Sequence, residues 1–172
     1  MIDERSAGLP VLRGLAPIKA IGHGRQVDLS APGPATVLIF VGRETQAEGK
    51  PISQAIRDSY PEASRVRVCN VADVRGIPRL VRKPIEMMMK SSYNDAVEGL
   101  APGRAPEDYV LILPDWDGEV YKALGVDDVK TSAAVAVVDS AGALAGVVRG
   151  PNAATQALAL LAKEGAGVAS QP

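Results

Sequence analysis

The chain holds one cysteine, Cys69, and one histidine, His23, so thiol or imidazole chemistry would have to run on single groups. One thiol cannot close an internal disulfide, and one cysteine with one histidine leaves no His/Cys cluster for zinc. Cys69 stands among Val66, Val68 and Val71, where a free cysteine is expected to pack as a small hydrophobe. A reactive thiol needs an accessible, electropositive setting, and Arg65, Arg67 and Arg75 lie close enough in sequence to keep that alternative open. His23 could act as a general base. It has no Ser or Cys partner in a nucleophile motif, and His23-Gly24 reads as a surface turn. Asp115 and Asp117 flank Trp116 as a paired-carboxylate candidate. The run into Gly118 has turn chemistry, and no further acids are clustered there to fill a calcium or magnesium shell.

Met87, Met88 and Met89 are bordered by Arg79, Arg82, Lys83 and Lys90. Three consecutive methionines cannot all face one way, so at least one lies near the rim of a core. Adaptable methionine surfaces suit a partner protein, a second copy, or a lid over a small pocket.

The elements that must position these residues follow from the hydrophobic pattern. Gln26 to Leu29 alternates polar and apolar beyond the His23 turn, which suits two short extended pieces. Thr36 to Val41 is a continuous β-branched run, as expected of a strand buried on both faces. Gly42 to Lys50 is polar; Ile52, Ala55, Ile56 and Ser59 then fall at helical spacing, with Pro51 near the start and Pro61 as the stop. A strand around Cys69 follows. Ile85, Met88, Met89, Ser92 and Ala96 make a helical stripe, with Pro84 in its first turn or at a kink. Gly99 to Pro106 reads as a loop, Tyr109 to Leu113 as a strand, and Val120 to Leu124 as a short helix stopped by Gly125. Ala133 to Val138 and Leu144 to Val148 read as a hairpin around Asp139-Ser140-Ala141-Gly142. Asn152 is the expected N-cap of a last helix with Ala154, Ala157, Leu158 and Leu161 on its apolar face, stopped by Gly165.

A chain of 172 residues fits one domain, and 47% hydrophobic residues can fill its core. A net charge of −1, with both signs interspersed, gives no footprint for nucleic acid. No apolar run nears the roughly 18 residues of a membrane span. Met1-Ile2-Asp3-Glu4-Arg5 has acids where a signal peptide carries positive charge, so a cytoplasmic protein is expected.

The order strand, helix, strand, helix, strand, hairpin, helix resembles the thioredoxin-like superfamily, in its redoxin branch of alkyl hydroperoxide reductase and thiol-specific antioxidant proteins. Four stretches carry the likeness. His23 to Ser30 resembles the family's "G-x-x-V-x-L" hairpin. Thr36 to Val41 resembles its first core strand. Leu111 to Gly118, continuing to Leu124-Gly125-Val126, resembles its "D-x-D-G … L-G-V" segment. Val135 to Gly142 resembles its "V-V-D-x-x-G" hairpin. The resemblance covers Ile21 to Glu164. It implies a three-layer α/β/α sandwich with a central mixed sheet and an N-terminal β-hairpin, here residues 21–165, between an extension (1–20) and a tail (166–172).

The departures bear on function. In the family the catalytic cysteine opens the helix after the first core strand, where the helix dipole and free N–H groups favour thiolate. Here Arg43 to Lys50 holds no cysteine, and Thr45 and Glu48 fall near the two positions of the usual C-x-x-C. The facing loop, Val129-Lys130-Thr131-Ser132-Ala133, lacks the family's proline or arginine. A helix N-terminus still favours anions, so Arg43, Thr45, Glu48, Thr131 and Ser132, with Lys50 near, are the candidate ligand-binding residues. A solvated loop with no ligand is the plainer reading of the same residues. The expectation is a redox-inactive protein that binds a partner protein, a second copy included, or a small ligand, with no cofactor, metal, nucleic acid or membrane. The alternative is an enzyme reusing the cleft for one-cysteine or non-redox chemistry.

Overall fold

The computed structural model describes residue 12 and residues 14–164. The readings of the earlier N-terminal residues, of Gly165 and of the tail lie outside that range. A two-stranded antiparallel hairpin, β1 (Ile18–Lys19) and β2 (Gln26–Val27), precedes a five-stranded sheet ordered β5-β4-β3-β6-β7. Its strands are β3 (Ala35–Val41), β4 (Val66–Ala72), β5 (Ile112–Pro114), β6 (Ala134–Val138) and β7 (Leu144–Arg149). β3, β4 and β5 run parallel, while β6 and β7 are antiparallel. The helices are α1 (Gln46–Ser59), α2 (Arg82–Glu98), α3 (Pro106–Tyr109), α4 (Glu119–Ala123) and α5 (Ala153–Lys163).

β3 shows why the sheet is central. Its alternation sends Val37 and Ile39 to one side and Leu38 and Phe40 to the other, and all four are buried. Ile52 and Ile56 of α1 with Ala157 and Leu161 of α5 cover the first side. Val120, Tyr121 and Leu124, the hairpin and Leu12 cover the second. The three layers match the expected sandwich. The core also draws on residues before 21, since Leu12 and Ala20 are buried in it. No helix among the described residues is long and apolar enough to cross a membrane.

Four local expectations change. α1 opens at Gln46, five residues before Pro51, because its first turn is polar and exposed while Gly49 alone turns inward against Val41. Tyr109 ends α3 instead of opening a strand: Pro106 sits at a helix start, where its missing N–H costs nothing. Asn152 occupies the cap of α5 without a side-chain cap hydrogen bond. α2 has no buried residue; its inner face is Ile85, Met89, Tyr93 and Val97, while Met88, Ser92 and Ala96 are exposed. That helix leans on the hairpin turn, where the Tyr93 ring lies over Gly22 and against His23.

Candidate functional site

Parallel register gathers the chemistry at one rim. Val41 pairs with Ala72, and Ala72 with Pro114, so the segments after β3, β4 and β5 leave the sheet side by side. The antiparallel pairs Phe40–Ala134 and Ala134–Arg149 bring the start of β6 and the end of β7 to the same place. Residues 42–48, 73–75, 115–118 and 127–133 therefore meet there.

Thr45 is the N-cap of α1 and is buried. Its hydroxyl accepts the Gly42 N–H at 3.0 Å and donates to the Val129 carbonyl at 2.6 Å, so it holds the helix start against the facing loop. Glu48, in the first turn, accepts the Ala133 N–H through Oε2 at 2.9 Å. The structure thus brings two of the five candidate residues onto the 129–133 loop. Arg43 and Thr131 are exposed and Ser132 half-buried. A side chain on Gly42 would press on Val129 at 3.2 Å, so the two walls pack closely.

Beside this clamp lies a second cluster. Asp115 is buried and accepts the Val120 and Tyr121 N–H groups, both at 3.0 Å, thereby capping α4. Burial pushes its pKa up, and the backbone donors offset part of that rise. Arg75 makes a two-point pair with Asp73 at 2.8 and 3.0 Å, donates to the Asp127 carbonyl at 2.9 Å, and lies 3.9 Å over the Tyr121 ring. The hydrogen bond from Arg75 holds Asp73 below the usual carboxylate range. Tyr121 packs edge-on against Phe40, and burial raises its hydroxyl, which has no hydrogen-bond partner among the described residues. Asp117 is exposed, so the two aspartates form a turn and do not share a site. No group of three or more metal-binding side chains occurs among the described residues.

No family model and no curated protein matches this sequence. Solved structures do. StoA of Bacillus subtilis aligns over 84% of this chain and 93% of its own, at 18% identity and a TM-score of 0.56. DsbF of MTB, described in mixed oxidized and reduced forms, aligns over 91% and 98%, at 22% identity and 0.57. The exposed lipoprotein thioredoxin Etrx1 of Streptococcus pneumoniae aligns over 86% and 99%, at 19% identity and 0.55. The fold is thioredoxin-like.

On this thioredoxin-like scaffold the one thiol sits inside the sheet. Cys69 lies in β4, opposite Leu38, with no solvent exposure. Burial pushes its pKa up to about 11, outweighing the pull of Arg67 and Arg57. Arg67 turns to the Thr36 hydroxyl, and Arg57 is buried over Tyr109, donating to the carbonyls of Tyr60, at the end of α1, and Val66, at the start of β4. His23 is a strut: Nδ1 accepts the Arg25 N–H, leaving Nε2 to donate to the Val110 carbonyl at 3.2 Å. Sequence reasoning missed the Asp73, Arg75 and Tyr121 cluster. Asp73-x-Arg75 is visible as a local pair, but nothing local shows that Tyr121, far along the chain, would lie beneath it.

Proposed function

We propose that this chain is a thioredoxin-fold protein that does not perform dithiol exchange and acts by binding other proteins through its surface. One observation carries the reading: at the start of α1, where the resemblance implies a cysteine pair, Thr45 donates to the Val129 carbonyl and Glu48 accepts the Ala133 N–H through one carboxylate oxygen. A rim tied shut in this way favours surface contact over chemistry in the cleft. Arg43, Thr131 and Ser132 would provide the rim's contact groups for an anionic partner segment, on a loop held in place by Thr45 and Glu48. The thiol supports the same reading, being buried and poorly ionised. A single thiol that forms no internal disulfide fits a cytoplasmic setting.

Insulin-reduction and peroxide-consumption assays test this. The expected result is turnover no higher than the blank for the wild-type chain and for Cys69→Ser alike. Turnover that Cys69→Ser abolishes would overturn it.

A further inference from the structure

α2 and the 3-10 turn that leads into it, Arg79–Val81, show two unusual features. The first is an apolar face turned to solvent. Leu80 is 95% exposed, Val81 45%, Met87 71% and Met88 67%. Within α2, Pro84, Met87 and Met88 follow helical spacing on the side away from Ile85, Met89, Tyr93 and Val97, by which the helix leans on the hairpin turn, and Leu80 and Val81 extend the patch into the preceding turn. Exposed apolar residues on the flank of a helix suit contact with another helix.

The second feature is the placement of charge. A helix is stabilised by acids in its first turn and bases in its last. α2 has neither. It opens on Arg82 and Lys83, just after Arg79, and closes with Asp95 and Glu98. Each end opposes its own dipole. Arg82 is stacked over Trp116 at 4.8 Å. Among the described residues Arg79, Lys83, Asp95 and Glu98 make no ion pair.

We infer that the occupant of this face is a second copy of the chain, with two α2 helices packed antiparallel about a two-fold axis near Met87 and Met88. This rests on the protein-binding reading above and adds a second surface, distinct from the rim, to it. A two-fold interface must be complementary to itself. Antiparallel pairing meets that condition twice. Apolar methionines meet at the centre, and the basic first turn of each helix lies along the acidic last turn of the other. Arg79 and Lys83 come beside the partner copy's acidic turn, and the two dipoles oppose. A parallel pair would instead set like charges together. A charge pattern that is unfavourable within one helix becomes favourable across two.

Light scattering on the full chain after size exclusion, over a concentration series into the high micromolar range, tests the arrangement. The wild type is expected to rise from 17.9 kDa toward twice that mass. Met87→Glu with Met88→Glu is expected to stay at the lower mass throughout. Lys83→Glu alone and Asp95→Lys alone should each weaken association, by about tenfold, since each sets like charges face to face at both ends. An equimolar mixture of those two variants should associate as strongly as the wild type, because each then offers the charge the other lacks. Unchanged circular dichroism checks that these exposed substitutions leave the fold intact. A wild type that stays at 17.9 kDa overturns the inference, as does a methionine variant that still dimerises or a mixture no better than its components. A monomeric wild type with silent redox assays removes the dimer and leaves the binding reading. Turnover lost in Cys69→Ser removes that reading whatever the mass.

Discussion

Two side chains decide what the rim can do. The Thr45 hydroxyl is doubly used inside the protein, so removing it leaves the Gly42 N–H and the Val129 carbonyl without partners. Thr45→Val keeps the shape and should cost about 1–3 kcal/mol in urea unfolding. Glu48→Gln keeps an acceptor for the Ala133 N–H and should cost less than about 0.5 kcal/mol, as an exposed change does. Equal losses in the two variants would contradict the clamp. Cys69 carries a pH signature. Burial pushes its thiol up from an ordinary value of 9.0 to about 11 in the folded chain. Between those values the unfolded chain has lost a proton that the folded chain keeps, so stability falls as pH rises. The full difference is about 3 kcal/mol, with no contribution below the unfolded value. Unfolding of wild type and Cys69→Ala compared across that range isolates the thiol, because other alkaline groups, Tyr121 included, cancel. Parallel curves would show that the folded thiol ionises normally.

At the scale of elements, local pattern served the buried strands best. Thr36 to Val41 and Ala133 to Val138 are apolar on both faces, and only the middle of a sheet accommodates that. It served amphipathic ends poorly. The first turn of α1 is polar because it faces water, and Gly49, which faces inward, carries no hydrophobic signal. α2 misled for a different reason. It has two apolar faces, and the stripe through Met88, Ser92 and Ala96 is not the one that meets the body. What meets the body is Tyr93 over Gly22, where φ is +90° and an added Cβ would stand 2.4 Å from the ring. Gly22→Ala should therefore strain the turn and push α2 away, costing about 1–3 kcal/mol. Amide exchange should show lost protection in α2 while β3 and β6 keep theirs. Adding Tyr93→Ala removes the clash and leaves the backbone strain, so it should recover part of the stability. Unchanged exchange in α2 would mean that the helix is held by some other contact.

For the whole molecule, topology did what no local motif could. The order of strands and helices foretold the sheet, and the sheet's parallel register puts residues 45, 73, 115 and 129 at one rim. Thr45 and Glu48 were legible as residues at the start of the helix after the first core strand, which is where they lie. Their hydrogen bonds to Val129 and Ala133 were not legible, since each spans more than eighty residues and joins side chain to backbone. The scaffold and the chemistry are thus separable, which T45C/E48C tests. Two residues three apart in a helical turn lie within the roughly 7 Å at Cα that a disulfide can bridge. A thiol at a helix N-terminus is also favoured as thiolate. The double variant should close an intramolecular disulfide under mild oxidant, read as a loss of two titratable thiols with Cys69 unreactive in both states. It should be less stable than wild type when reduced, because the bonds to Val129 and Ala133 are gone. Two thiols that resist pairing would mean that positions 45 and 48 do not present their side chains to one another at the start of α1.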